Sequence, residues 1–412
     1  MKKNGFTLVE LLSIVVILGI IVVVALPQIS GSIGSKKEKQ YNKIVKIVEN
    51  AGKVYLTENV TRDSVSIDKL IKSDYLTSGL KNPINNAPLT GCVKKIISDG
   101  VTKYKYEVDN CPNYLTTYIM DLYDNEETSI ENGLKKDNTP DQNIRYYGSN
   151  PNNYVSFNNE LWRIIGVFGN NVKLVRSESL GSLSWDSSES SVNNGWGVNE
   201  WSQADLQVYL NKMYYGGTSV TCYNGKNKKE VTCPTNTIDE TSKSLIDYHT
   251  WNTGAPNDST LYDSTTQSYD TVEFYKAERG TVNGKICSSG TYCNDTVTRA
   301  TEWTGYIALP YITDYAYASS ENDCNTKIDN SSTYKCKNNN WMQRSTWAWY
   351  LSPFAYSGYA SVVWSVSGGG GAYGNNASDS FGVAPAIYLK SNVLIESGNG
   401  REDTPYTLKA GK

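Results

Sequence analysis

The sequence predicts an α+β protein. A long hydrophobic N-terminal helix, packed on a small antiparallel sheet, is expected to precede a larger β-rich domain that contains disulfides. Of the 21 residues from 6 to 26, 17 are apolar, residues 102–108 alternate as Thr-Lys-Tyr-Lys-Tyr-Glu-Val, and the chain holds 31 Tyr and eight Cys. These patterns are typical of an apolar helix, a half-exposed strand and a polar domain rich in turns. The 412 residues suffice for two or three domains.

The apolar N-terminal segment has the length of a membrane span. Residues 11–35 carry no charge, and at about 1.5 Å per residue such a helix crosses a hydrocarbon layer of about 30 Å. Lys2 and Lys3 precede it, which predicts a cytoplasmic N-terminus. A cleaved secretory signal is the alternative, but its apolar core has about 7–15 residues. Glu10 inside the run also argues against a disposable signal.

The first residues, Met-Lys-Lys-Asn-Gly-Phe-Thr-Leu-Val-Glu-Leu-Leu, resemble the leader of type IV prepilins. The resemblance implies a leader at residues 1–5, cut between Gly5 and Phe6 by a prepilin peptidase that also methylates the new Phe6 amine. The helix at residues 6–30 would remain as a transmembrane segment and filament core. A buried carboxylate costs about 2.5–3.5 kcal/mol unless it is paired, so Glu10 is predicted to pair with the N-terminal amine of an adjacent subunit. Pro27 removes a backbone hydrogen bond and is predicted to kink the helix, as in related pilins.

Residues 31–112 are predicted to form the pilin globular domain. Apolar residues from Tyr41 to Tyr55 recur at spacings of three and four between lysines, which predicts an amphipathic continuation of the helix. Residues 91–97 and 102–108 are predicted as strands of the small sheet. Residues 113–145 are polar and predicted as a linker with one short helix at 114–123.

The cysteines favour an oxidising, extracellular location. Neighbouring pairing is the simplest connectivity, and other pairings stay open. The four pairs would be Cys92 with Cys111, Cys222 with Cys233, Cys287 with Cys293, and Cys324 with Cys336. Zinc binding is the competing interpretation, but no C-x-x-C spacing occurs and the chain has one His. The sequence therefore predicts neither a metal site nor a cofactor.

Residues 146–409 are predicted to form a second domain. It opens with three apolar runs between residues 154 and 176, split by Asn-Asn turns, which predict a three-stranded meander. A helix at 203–215 is predicted to follow. Short strands are predicted at 303–310, 360–365 and 383–389. The segments Leu-Trp-Arg-Ile-Ile-Gly at 161–166 and Phe-Gly-Val-Ala-Pro-Ala-Ile-Tyr-Leu-Lys at 381–390 resemble a bacterial surface module of the C-type-lectin-like type, over about 260 residues. The resemblance implies a displayed binding domain.

Candidate ligand residues lie in an aromatic segment near the C-terminus. Tyr combined with Ser, Gly and Asn is the composition of adaptable recognition loops. The candidates are Tyr356, Tyr359, Tyr373, Asn375 and Asn376. A place in the core is the alternative for the tyrosines, and Trp347, Trp349 and Trp364 are predicted core residues. The isolated His249 and the lack of a visible nucleophile–base set predict that the protein is not an enzyme.

Together these features predict a minor or tip subunit of a type IV pilus that serves in adhesion. It would reside in the cytoplasmic membrane before assembly and at the cell surface as a fimbrium afterwards. The expected partners are other pilin subunits, the prepilin peptidase and N-methyltransferase, and a host-surface or glycan ligand. No nucleic acid is expected, because the formal net charge is −3. A pseudopilin of type II secretion or competence, and a major pilin of an unusual filament, stay open as alternatives.

Overall fold

The computed structural model describes residues 33–60, 62–109, 111–256, 262–263, 268–282, 285–286, 300–329, 335–354 and 360–411. The chain divides into two compact units, one ending at Asn113 and one beginning at Tyr114. The predicted leader and apolar helix, with Gly5, Phe6, Glu10 and Pro27, lie outside the described residues.

The first unit packs one helix on a three-stranded antiparallel sheet. The helix is Ile33–Glu58, the strands are Ser64–Ser66, Cys92–Ser98 and Val101–Glu107, and a short helix, Ile67–Lys72, follows the first strand. Apolar side chains spaced three or four residues apart form the buried stripe of the long helix: Ile44, Val48, Ala51 and Tyr55. Gly52 allows the helix to approach the sheet, because a Cβ there would lie 2.4 Å from the Cβ of Val93.

The predicted fold class is wrong. The described residues form a mixed α/β structure with mostly short helices and many strands, and no long apolar helix is found among them. The 26-residue helix Ile33–Glu58 is long, but charged side chains such as Lys36, Lys43 and Lys46 cover its exposed faces. Only one face is buried, so this helix is amphipathic rather than hydrophobic.

A nine-stranded sheet dominates the second unit. Seven strands follow one another across it in the order Ile307–Ala308, Ala386–Tyr388, Asn171–Arg176, Glu160–Phe168, Tyr154–Phe157, Tyr406–Ala410 and Val393–Ser397. Strand Ile144–Tyr146 pairs with Glu160–Phe168 and with the ninth strand, Leu134–Lys136. The C-terminal strand Tyr406–Ala410 runs parallel to Tyr154–Phe157, which brings the end of the unit beside its beginning.

A five-stranded sheet is the second-largest sheet of this unit among the described residues. Its order is Ala372–Asn376, Val362–Val366, Ala348–Pro353, Phe381–Gly382 and Ser182–Leu183. Smaller strand groups are Cys222–Tyr223 with Glu230–Val231, His249–Asn252 with Glu302–Gly305, Thr281–Val282 with Lys285–Ile286, and Tyr262–Asp263 with Ser268–Asp270 and Lys327–Asp329. The helices are Leu115–Asp124, Glu126–Asn132, Asp205–Val208, the π-helix Tyr209–Tyr215, Glu240–Leu245, Thr271–Glu278 and Ile312–Tyr317. Short 3₁₀ turns are Asn193–Gly195, Trp201–Gln203, Asn322–Asn325 and Lys335–Lys337.

The start of the second unit differs from the predicted linker. Residues 113–145 form two helices and two strands, and both strands belong to the nine-stranded sheet. The meander that follows matches its sequence pattern: Tyr154–Phe157, Glu160–Phe168 and Asn171–Arg176 are consecutive antiparallel strands. Asn158 and Asn159 both have positive φ, at 59° and 54°, which matches the Asn-Asn turn expected between the first two strands.

Three disulfides join cysteines that are neighbours in sequence order. They link Cys92 to Cys111, Cys222 to Cys233 and Cys324 to Cys336, with Cα atoms 5.6, 5.2 and 5.5 Å apart. The remaining predicted pair, Cys287 with Cys293, lies outside the described residues. Each disulfide closes a loop within one unit, so it restricts the unfolded chain locally.

Candidate functional site

Three of the five candidate ligand residues lie on the edge strand of the five-stranded sheet. Tyr373, Asn375 and Asn376 all belong to strand Ala372–Asn376 and are half-buried. Asn375 donates its Nδ2 hydrogen to Ser365 Oγ at 2.7 Å, and the backbone N–H of Asn376 donates to Asp379 Oδ2. The amide of Asn375 therefore holds the edge strand to its neighbour. Tyr356 and Tyr359 lie outside the described residues.

The tryptophans predicted as core residues divide into two groups. Trp349 is 1% exposed and Trp364 is fully buried. Trp347 is half-buried, stacks on Phe381 with ring centroids 5.1 Å apart, and contacts Tyr373 at 5.6 Å. Tyr373 is therefore one edge of a partly exposed aromatic group rather than an isolated surface side chain.

A cleft of about 360 Å³ lies where the meander meets the loop at residues 341–346. We call it the arginine cleft, because three guanidinium-bearing side chains line it. Its principal walls come from Arg163 on the central strand, Arg176 at the end of the next strand, and Arg344 in the loop, with Tyr154 and Trp341 beside them. The cleft therefore depends on strands that are adjacent in the chain and on a loop that is more than 160 residues away.

Arg163 is held on the cleft wall by neutral groups. Its Nε donates to Asn153 Oδ1 at 2.8 Å, and its Nη2 donates to Asn150 Oδ1 at 3.3 Å and to the carbonyl of Pro151 at 3.4 Å. Its guanidinium carbon lies 4.0 Å from the ring centroid of Tyr154, its cross-strand partner. Burial lowers the pKa of Arg163 to about 10, so the side chain is still charged at neutral pH.

Arg344 is anchored by main-chain carbonyls. Its Nη1 donates to the carbonyl of Ser177 at 2.8 Å and its Nη2 to the carbonyl of Arg176 at 2.9 Å. Burial lowers the pKa of Arg344. Arg176 differs, because it forms a two-bond ion pair with Glu160, Nε to Oε2 at 3.0 Å and Nη2 to Oε1 at 3.2 Å.

Polar groups complete the lining of the cleft. The buried hydroxyl oxygen of Ser177 has no hydrogen-bond partner within the described part of the chain. Glu178 and Glu402 also line the cleft, and Tyr154 Oη lies 3.5 Å from Glu402 Oε2. The cleft can therefore accept an anionic group at its guanidinium groups and ligand hydroxyls, as hydrogen-bond donors, at the two carboxylates.

A buried ionic network lies elsewhere in the second unit. Arg145 pairs with Asp137 at 2.7 Å and with Asp314 at 2.6 Å, and Lys173 pairs with Asp314 at 2.5 Å. All four side chains are at most 1% exposed. Burial opposes ionisation of Asp314, but Lys173 and Arg145 hold its pKa below the usual range. The network joins the beginning of the unit to helix Ile312–Tyr317, so its role is structural.

The single histidine packs against an aromatic ring of the second unit. His249 is half-buried, its ring stacks on Tyr388 with centroids 3.8 Å apart, and its Nδ1 lies 3.0 Å from Asp247 Oδ2. Burial lowers the pKa of His249. Within the described ranges, no group of three or more His, Cys, Asp or Glu side chains could hold a metal ion.

Sequence reasoning did not identify the arginine cleft. Arg163 interrupts the apolar run at residues 161–167, and a charge at a buried strand position is a signal that could have indicated a role. Arg344 and Ser177 stand in polar loops and give no such signal. Only the packing of the loop against the meander brings these residues together.

Comparison with known protein families gives a match at the N-terminus. The model of the prokaryotic N-terminal methylation motif matches residues 1–26. No curated protein matches the chain, and no solved structure matches it. The resemblance of residues 146–409 to C-type-lectin-like modules therefore has no support from these comparisons.

The matched motif supports a type IV pilin-like or pseudopilin protein. It implies processing by prepilin peptidase and assembly with other pilin-type subunits. Such motifs are typical of proteins that are anchored in the membrane and assembled into surface filaments. Of the helices in the described residues, none combines the length and the apolar character needed to cross a membrane.

Proposed function

We propose that this chain is a minor or tip subunit of a type IV pilus that displays its second unit for adhesion. The observation that carries the proposal is the methylation motif at residues 1–26 followed, beyond a small first unit, by a large unit from Tyr114 to Lys412. In this proposal the chain enters the cytoplasmic membrane, is cut between Gly5 and Phe6, and is assembled through Glu10. The second unit is then carried to the cell surface.

The size of the second unit favours a sparse position in the filament. Subunits of a helical filament are closely spaced along its axis, so a large appended unit on every copy would crowd its neighbours. A subunit at the tip, or one that is inserted rarely, avoids this crowding. The retained Glu10 still provides the charge pair that joins it to an adjacent subunit.

Binding rather than catalysis is the role we propose for the second unit. The arginine cleft offers guanidinium groups, a hydroxyl and aromatic rings, which are groups that hold a ligand in place. The described histidine is engaged with Asp247 and Tyr388 and lies outside the cleft. A host-surface or glycan ligand is the partner that fits this role.

Immunogold labelling of intact cells with an antibody against the second unit tests where in the filament the subunit lies. The proposal expects label at filament tips or at sparse points. Dense label along the whole shaft would identify a major pilin instead, and label confined to the membrane of cells that carry filaments would identify a pseudopilin.

Assembly through Glu10 has a separate test. A Glu10→Leu variant removes the carboxylate that pairs with the amine of the adjacent subunit, so it is expected to be absent from sheared filaments. Ser13→Leu changes a polar residue of the same segment without removing a charge, so it should assemble normally. Normal incorporation of the Glu10 variant would contradict the proposed assembly.

The aromatic face near the C-terminus can be tested by adhesion. Replacing Tyr359 and Tyr373 with Ala is expected to leave thermal stability nearly unchanged and to abolish adhesion of cells. Tyr248→Ala, at a side chain that is 60% exposed, is the matched control and should leave adhesion unchanged. Unfolding of the double variant would instead place these tyrosines in the core.

A further inference from the structure

We infer that the arginine cleft binds a sugar residue that carries a carboxylate, such as a uronic or sialic acid of a glycan. The inference rests on the proposed adhesive function and names the ligand class of the same unit. It starts from Arg163 and Arg344. Within the described residues, neither forms an ion pair with a carboxylate, and every hydrogen bond found for their guanidinium groups goes to a neutral oxygen.

Burial makes these charges favourable partners for an anion. Arg163 is only 8% exposed, and a buried charge without a hydrogen-bonded counter-charge is costly, a cost that the nearby Glu402 offsets only in part. A carboxylate bound beside the guanidinium would offset that cost with charge-assisted hydrogen bonds. Arg176 contributes less, since its charge is already neutralised by Glu160.

Ser177 supplies a second, independent observation at the cleft. Its hydroxyl oxygen is buried and unpartnered within the described residues, although its carbonyl accepts a hydrogen bond from Arg344. Buried hydroxyls are normally hydrogen-bonded. Because this oxygen is closed off from solvent here, a ligand oxygen in the cleft would satisfy it only after the Ser177 side chain rotates toward the cleft.

The rest of the lining favours a sugar over other anions. The cleft has a volume of about 360 Å³, which falls in the range of small-ligand sites. Glu178 and Glu402 would repel a phosphate or a run of acidic residues more strongly than a single carboxylate, and their oxygens can accept hydrogen bonds from sugar hydroxyls. The exposed Ser345 and Thr346 add hydroxyl groups at the same cleft. A ligand with one negative charge and several hydroxyls matches this combination.

The test measures binding of acidic and neutral sugars to the full-length protein in detergent micelles. The probes are a hyaluronan tetrasaccharide and its carboxyl-reduced form, sialyllactose and lactose, and a tetrapeptide that contains two glutamates. At least one acidic sugar is expected to bind about tenfold or more tightly than its neutral counterpart, because the guanidinium groups form charge-assisted bonds. Equal binding of acidic and neutral forms, binding of neither acidic sugar, or tighter binding of the peptide would overturn the inference.

Three variants of cleft residues test whether the acidic sugar binds in the arginine cleft. Arg163→Gln removes one guanidinium, Arg344→Lys keeps the charge but loses the two-carbonyl anchor, and Ser177→Ala removes the unpartnered hydroxyl. Each is expected to weaken binding of the acidic sugar, by about tenfold for the Arg163 variant. Lys409→Gln removes a charge from an exposed pair with Glu396 outside the cleft and should bind like the unmodified protein.

Thermal unfolding separates loss of binding from loss of fold. If Arg163→Gln unfolds, the Ser177 and Arg344 variants decide the outcome, and unchanged affinity in every folded cleft variant contradicts the inference. Failure of the filament role is distinguishable. If the protein binds acidic sugars but is absent from filaments, only the proposed location is contradicted. If it is found in filaments but does not bind acidic sugars, only the ligand class is contradicted.

Discussion

Replacing Glu278 with Gln is predicted to remove a pH dependence of stability from the second unit. Glu278 ends helix Thr271–Glu278 and is fully buried. Its Oε2 accepts a hydrogen bond from the Thr313 hydroxyl at 2.5 Å, and its Oε1 accepts one from the Thr313 backbone N–H at 3.3 Å. Burial raises the pKa of Glu278 to about 7, Arg279 opposes the shift, and Asp314 adds to it.

The sign of the effect follows from the raised pKa. The carboxyl group has an ordinary pKa of 4.5 and a folded-state pKa of about 7, so the folded state binds the proton more tightly than the unfolded state. The stability gained from this proton is present below pH 4.5 and is lost as the pH rises to about 7. At about 1.36 kcal/mol per pKa unit, the loss amounts to about 3 kcal/mol.

The Glu278→Gln variant would keep the shape of the side chain and carry no charge there at any pH. We therefore expect the unmodified protein to lose about 3 kcal/mol of unfolding free energy relative to the variant as the pH rises from 4.5 to 8. Urea unfolding followed by tryptophan fluorescence measures this quantity. All ten tryptophans lie at residue 162 or beyond, so the signal reports only the second unit.

A control on the same helix isolates the effect of burial. Glu273 is partly exposed and pairs with Lys276 at 2.6 Å. Glu273→Gln is expected to change stability by about 0.5 kcal/mol or less at every pH. A Glu278 variant whose stability difference from the unmodified protein does not change with pH would refute the argument.

Three further predictions concern stability. Asp314→Asn leaves Lys173 buried without its carboxylate partner and is expected to lower the unfolding free energy of the second unit by about 3–5 kcal/mol in urea titrations. Replacing both Cys324 and Cys336 with Ala opens a loop of 12 residues and should cost about 2–3 kcal/mol in the same assay. Gly52→Ala places a Cβ 2.4 Å from the adjacent strand and should destabilise the first unit by about 1–3 kcal/mol, measured by hydrogen exchange of the helix peptides.

Exposed positions of the same residue types provide the controls. Asp403→Asn and Gly79→Ala change an exposed carboxylate and an exposed glycine. Asp403→Asn should leave the unfolding free energy nearly unchanged. Because Gly79 has a φ of 80°, a modest loss is expected there from backbone strain alone. Losses at Asp314 or Gly52 no larger than at these controls would contradict the role given to burial and close packing.

Local patterns predicted local structure well. The amphipathic spacing from Tyr41 to Tyr55 predicted a helix, and alternation predicted the strand that the structure places at Val101–Glu107. The Asn-Asn turn predicted the first hairpin of the meander. These signals depend on the period of side chains along one element or on the backbone preference of one turn, and neither requires knowledge of distant residues.

The polar segment at residues 113–145 shows where such reasoning fails. Asp137, Asn143 and Arg145 have the composition of a linker, yet all are buried. Arg145 pairs with Asp137 in the same segment and with Asp314, which lies 169 positions away, and strand Ile144–Tyr146 is completed by a neighbouring strand of the large sheet. Buried polar residues normally have hydrogen-bond partners, and a distant one such as Asp314 is not visible in the surrounding sequence.

The sequence alone determined the class of the N-terminus, because the leader motif is a contiguous chemical pattern that a peptidase recognises in linear form. For the cysteines it favoured neighbouring pairs without excluding others, and the described disulfides have that pairing, since short loops bring their cysteines together at low entropic cost. Only the tertiary structure decided that Arg163, Ser177 and Arg344 share one cleft, because their proximity depends on a loop packing against strands far away in the chain.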